Sequence, residues 1–221
     1  MTSAWAKTPA EEAQALVAAE PKAAGVWVAG SNGLVMHVKS GLKCPAGDTD
    51  YRTHNKILRL TAISVDDAAG NRASCRFDVL MKANPTAPAM KLTVAAEHQS
   101  AGSGEPLDRA RAAFLAANPG WRPDSAANAF HQRQFSGKYE FKTTAGAFAA
   151  RVFSYRNDAG PKPMLAHVAA GAIRDWILIF TIVGTEDDTE ISTADSALML
   201  SLWTDIGADV LEAALKRSGR Q

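Results

Sequence analysis

Residues 176–183 read Trp176-Ile177-Leu178-Ile179-Phe180-Thr181-Ile182-Val183, a strand-length run with apolar side chains on both faces. Side chains alternate along a strand. Trp176, Leu178, Phe180 and Ile182 therefore fall on one side, and Ile177, Ile179 and Val183 on the other. A strand of this kind has to be covered above and below, which predicts helices on both faces of its sheet. The run is also the longest strongly apolar stretch of the chain, far below the ~20 residues of a membrane-spanning helix.

Clear punctuation surrounds this strand. Before it, Lys138 to Thr143 alternates, with Tyr139, Phe141 and Thr143 on one face and Lys138, Glu140 and Lys142 on the other. Ala147 to Arg156 follows a turn near Gly146, and Met164 to Ala170 follows the turn residues Asn157-Asp158-Ala159-Gly160-Pro161. Such short connections predict an antiparallel meander. After it, the acidic run Glu186 to Glu190 leads into Ser192-Thr193-Ala194-Asp195, whose charges suit the positive end of a helix. A cation site is the weaker reading of that run, since it lacks a calcium-loop ligand pattern. The closing helix is expected from about Thr193 to Lys216, bent at Gly207. Its row of Leu198, Leu202, Ile206 and Val210, broadened by Trp203 and Leu211, marks a core-facing helix rather than a partner-binding one.

In the first half, Thr8-Pro9-Ala10-Glu11 has the form of a capping box with proline at the first helical turn, and the helix runs to about Glu20. Asn32-Gly33 between two apolar segments signals a hairpin. Ile57 to Val65 and Arg72 to Met81 form a second strand pair, and Lys91 to Ala96 a further strand. Glu105-Pro106 opens a helix with Leu107, Ala110, Phe114 and Ala117 at helical spacing, which Asn118-Pro119-Gly120 stops.

The chain has 221 residues, of which 47% are apolar. That length suits one domain, taken as residues 9–221 after a flexible start at 1–8. The fold class expected is α+β, a mainly antiparallel twisted sheet with helices on both faces. Lys plus Arg total 24 and Asp plus Glu 23, so no net field draws the chain toward nucleic acid or an anionic membrane. The N-terminus has no apolar signal core, yet Ala4-Trp5-Ala6 has the small-x-small form of a signal cleavage site. A chain starting at the end of a removed signal and a plain Ala-rich start both fit.

Cys44 and Cys75 are the only cysteines. Strand alternation from Ala73 to Met81 points Cys75 inward, and Cys44 stands before Pro45 where a strand meets a loop. A disulfide between them is the favoured reading, and two free buried thiols are the main alternative. A zinc site with His37 and His54 lacks the short paired spacing of such sites. A redox-active Cys44 lacks a neighbouring resolving cysteine.

The chain contains no Gly-x-Ser-x-Gly elbow, no phosphate-binding loop with Lys-Ser/Thr and no His-Glu-x-x-His helix. Gly102-Ser103-Gly104 resembles part of a dinucleotide loop, but Leu107 replaces its third glycine, which leaves a linker. The histidines are scattered, and neither metal nor cofactor is implied. The densest polar-aromatic stretch is His131-Gln132-Arg133-Gln134-Phe135, read as an exposed, charged strand edge near Arg151, Tyr155 and Arg156. Together, His131, Arg133, Arg151, Tyr155 and Arg156 form the candidate surface for an anion or peptide.

Ser40-Gly41-Leu42-Lys43-Cys44-Pro45 and Ser74-Cys75-Arg76-Phe77 resemble segments of uncharacterised exported proteins of proteobacteria. Separately, the helix ending at Pro119-Gly120-Trp121, the meander, the Trp-initiated strand at Trp176 and the closing helix are together similar in order to the Mog1/PsbP-like α/β/α sandwiches. That resemblance implies an accessory or binding protein and transfers no site residue. The expected function is a non-enzymatic exported protein, periplasmic or secreted, that binds an unknown protein or small ligand. The alternatives are an enzyme assembled from His131, Tyr155 and Arg151, and a cytoplasmic interaction protein.

Overall fold

The computed structural model describes residues 7–51, 55–67, 69–99, 104–143, 146–185 and 196–219. Helix α1 (Pro9–Ala19) starts as its capping box requires: the Thr8 hydroxyl accepts from the Glu11 backbone N–H, and the Glu11 carboxylate accepts from the Thr8 N–H at 2.7 Å. The Asn32-Gly33 turn then joins β1 (Trp27–Ala29) to β2 (Leu34–His37). Gly33 sits at φ 78°, and a Cβ there would collide with Pro9, so glycine is needed both for the turn and for the approach of α1. β3 (Lys43–Pro45) completes a three-stranded antiparallel sheet in the order β1-β2-β3.

The larger sheet is two antiparallel meanders joined edge to edge. The first comprises β4 (Asp48–Tyr51), β5 (Lys56–Val65), β6 (Arg72–Met81) and β7 (Asn84–His98). The chain then passes through α2 (Pro106–Ala117), the two-residue β8 (Arg122–Pro123) and α3 (Ser125–Phe135). β9 (Lys138–Thr143), β10 (Gly146–Asn157), β11 (Met164–Ile173) and β12 (Trp176–Thr185) run back until β12 lies against β7, with Trp176 opposite His98 and Val183 opposite Lys91. β8 and β9 share the outer edge of β10. α4 (Ser196–Ser218) closes the chain.

The expected α/β/α sandwich does not form. Among the described residues there are only four helices against a nine-stranded and a three-stranded sheet, and the helices do not layer both faces. One face of β12 (Trp176, Leu178, Phe180 and Ile182) enters the main core, which draws residues from α1, α4 and the three-stranded sheet. The other face has no helical layer: α2 alone lies across β10 and β11, over a small cluster that Ile179 and Val183 only flank. Apolar residues on both faces of a strand require cover, and here a second sheet supplies part of what helices were expected to supply.

Cys44 in β3 and Cys75 in β6 form the disulfide, with Cα atoms 6.5 Å apart and both residues fully buried. The bond ties the small sheet to the large one and removes these sulfurs from any zinc site. α4 runs without a break through Gly207. A Cβ at Gly207 would run into the Phe148 ring, so the glycine serves close packing there. Ile206, Val210 and Leu211 are buried as their spacing predicts. Residues 1–6, His54, the 102–103 part of the linker, the acidic run with its cap at 186–195 and the side chains of Leu198, Leu202 and Trp203 lie outside the described residues.

Candidate functional site

The stretch from His131 to Phe135 is the end of helix α3, not an exposed strand edge. Asp124 caps that helix by accepting from the Ala127 N–H at 2.9 Å, and Ser136 ends it in a left-handed conformation. The helix is held by a gap in the sheet edge. β9 pairs with β10 up to Arg151 and β8 resumes at Tyr155. Between them, the Asn128 side chain takes the place of a strand: its Nδ2 donates to the Ser154 carbonyl at 2.9 Å and its Oδ1 accepts from the Ser154 N–H at 2.8 Å. One turn further along the same helix face stands His131.

Ser154 and His167 are direct cross-strand partners on β10 and β11, so their side chains share a face. The Ser154 hydroxyl lies 2.7 Å from His167 Nδ1 and 3.1 Å from His131 Nε2, and His131 Nδ1 lies 2.7 Å from the Tyr139 hydroxyl. The result is a continuous chain, Tyr139 to His131 to Ser154 to His167, all buried. Burial, reinforced by the neighbouring His131, pushes the His167 ring down to about 4. Burial also lowers His131 and raises the Tyr139 phenol to about 12. All four groups are therefore uncharged at neutral pH. His167 Nε2 has no hydrogen-bond partner.

His131 and His167 form part of the wall of a cavity of about 450 Å³ between α3, β8, β10 and β11. Phe130, Leu165, Pro123, Ala126 and Ala127 supply apolar wall, and Arg122, Arg156 and Asp124 supply charge. Arg122 and Arg156 both bind the Asp158 carboxylate, the latter through Nε at 2.5 Å, and these contacts hold that carboxyl below the usual carboxylate range. The mouth of the cavity is thus ionic but largely self-compensated, while its inner wall is apolar apart from the imidazoles.

Of the residues singled out from sequence, this cavity brings together His131 and Arg156. Arg133 is exposed on α3. Tyr155 and Arg151 belong elsewhere, because alternation along β10 sends them to the other face of the sheet from Ser154 and Arg156. Tyr155 is fully buried, stacked on Phe114 at 5.0 Å, and accepts from Arg111 Nε at 3.0 Å. Arg151 stands 3.9 Å from Glu105. His131, Tyr155 and Arg151 are therefore not brought to one point. Sequence reasoning missed Ser154, His167, Tyr139, Asn128 and Arg122. Asp124 following Pro123, then a run without Gly or Pro to Ser136-Gly137, was the available signal for α3.

A hydrolytic triad is not assembled here. Ser154 is fully buried behind both imidazoles, and neither ring is oriented by a carboxylate within hydrogen-bonding distance among the described residues. Among the described residues no group of three or more His, Cys, Asp or Glu is placed to hold a metal ion, and no helix is long and apolar enough to cross a membrane. No protein-family model matches the chain, and no curated protein matches it in sequence.

Proposed function

We propose that this is a binding protein that takes a small, largely apolar ligand into the cavity beneath α3, and that it works outside the cytoplasm. The observation that carries the first part is a cavity of about 450 Å³ whose wall is apolar at Phe130, Leu165 and Ala126 and carries the neutral imidazoles of His131 and His167. The inaccessibility of Ser154 favours binding over catalysis. The buried Cys44–Cys75 bond supports the second part, since such bonds persist in oxidising compartments.

A thermal-shift and NMR titration with small aromatic and alicyclic probes tests the cavity. Binding is expected to perturb the amides of α3 and β11 and to be abolished by Ala126→Trp, which fills the space. Binding that Ala126→Trp leaves intact would place the ligand elsewhere and sink the reading. For the compartment, protein recovered from its native source and denatured is expected to resist thiol alkylation until reduced; two thiols alkylated without reductant would count against export.

A further inference from the structure

We propose that residues 122–130, from β8 into the first turns of α3, are a flap latched on Ser154 that lifts off the sheet and admits the ligand to the inner end of the cavity. The entrance role rests on the cavity reading above; the motion does not. Arg122 to Ala127 and Phe130 form one side of the cavity as a single continuous segment, and His131, Arg156, Leu165 and His167 form the rest. Moving that segment alone therefore opens the cavity. In the closed form His131 and His167 are each only 2% exposed, so the inner wall shows almost nothing to solvent until the flap moves.

Hydrophobic burial does not hold this segment down. Every residue from Arg122 to Phe130 is exposed or half-buried, and a segment with few buried apolar contacts lies at the low end of local stability. Its two ends are anchored. Trp121 stands edge-on to Phe114 at 5.5 Å, and His131 is buried with Nδ1 2.7 Å from the Tyr139 hydroxyl. Gly120, at φ 94°, precedes the first anchor, where the chain turns out of α2.

Between the anchors the ties are polar and converge on one residue. The Ser154 carbonyl accepts from the Asp124 N–H at 3.0 Å and from Asn128 Nδ2 at 2.9 Å, and the Ser154 N–H donates to Asn128 Oδ1 at 2.8 Å. The two-residue pairing of β8 with β10 and the contact of Arg122 with Asp158 complete the attachment. Such bonds contribute little net when water replaces them on opening. Asn128 is thus a positioning residue: it makes two of the three hydrogen bonds to the Ser154 backbone.

Amide hydrogen exchange on the full chain with its disulfide intact tests the motion. The Asp124 and Ser154 amides are expected to share one protection factor, about 100-fold or more below those of Val168 and Ala169 in the middle of β11, and to respond little to urea. Asn128→Ala leaves the Asp124 hydrogen bond itself untouched, yet should speed Asp124 exchange about tenfold while β11 is unchanged. Asp124 protected as strongly as β11, or indifferent to Asn128→Ala, overturns the flap. For the entrance, the on- and off-rates of ethylbenzene, read by NMR exchange, should both rise about tenfold in Asn128→Ala with affinity nearly constant. Unchanged rates overturn the entrance and leave the cavity reading standing. If neither ethylbenzene nor any other aromatic or alicyclic probe binds, the cavity reading falls and the entrance with it, while Asp124 exchange still decides the motion.

Discussion

His37 and His167 are the same local chemistry in two settings. Each is buried, each has Nδ1 at 2.7 Å from a serine hydroxyl, and each is pushed by burial to about 4. At His37 the surroundings are closed. Its ring lies 5.3 Å from Trp27 and 5.7 Å from Trp176, and the Gly70 backbone offers it a hydrogen bond that opposes part of the burial shift. The Ser40 backbone N–H also donates to Nδ1 at 3.2 Å, which fixes the proton of the neutral ring on Nε2. At His167 the serine is shared with a second imidazole and the ring walls a cavity. A His–Ser pair is therefore no signature of a binding site; what distinguishes the two is a shared partner and open space.

Acid breaks both regions at once and gives the largest effect. Both rings have folded pKa values below the ordinary 6.5, so the unfolded chain binds more protons as pH falls. The stability they contribute is fully present above about pH 6.5 and is lost toward pH 4, by roughly 3 kcal/mol per ring. Urea midpoints at pH 7, 5.5 and 4 should fall accordingly, and His37→Gln or His167→Gln should each remove about half of that slope. A flat profile would mean that these rings are not held neutral.

Loss of the disulfide separates the regions. Closing the loop between Cys44 and Cys75 contributes roughly 3 to 4 kcal/mol on the chain-entropy model. Because the bond holds the small sheet that carries His37, Cys44→Ala with Cys75→Ala should speed hydrogen exchange first in β2 and β3. The Ser154 amide, clamped by Asn128, should keep its protection; equal acceleration at both would erase the distinction. Smallest is the serine comparison. Ser154→Ala strips a partner from two buried rings and is expected to cost about 2 to 3 kcal/mol, whereas Ser40→Ala leaves His37 its backbone donor and costs about 1 to 2 kcal/mol. Denaturant midpoints that reversed this order would show His37 to be the more dependent ring.

Much of the element order was legible because its signals are local. Thr8 with Glu11 starts α1, Asn32-Gly33 turns the first hairpin, and the alternation from Ala73 to Met81 aims Cys75 at the core. α3 was not legible by periodicity: Ser125 to Phe135 has small residues where a helix of this length usually shows a strong apolar stripe, and a gap in the sheet edge rather than hydrophobic burial positions it. The site was legible only in part because two facts decide it that no short window contains. Strand register places Ser154 opposite His167, and strand parity separates Arg156 from its immediate neighbour Tyr155. The apolar run at Trp176 was read as a strand with helices over both faces, but only the face of Trp176, Leu178, Phe180 and Ile182 enters the main core, while Ile179 and Val183 stay half-buried beside the small α2 cluster.

The seam between β7 and β12 bears on how the chain reaches this fold. Lys91 and Val183 face each other across it, so pairing there closes a loop of nearly half the chain, whereas each meander pairs strands close in sequence and the Cys44–Cys75 link lies wholly on the first side. Contacts between distant residues form slowly because loop-closure entropy precedes their gain. The first meander can therefore pair and oxidise before the second is in place. Until the second arrives, β7 is an uncapped edge, and that interval is when the chain is most exposed to pairing with another copy of itself.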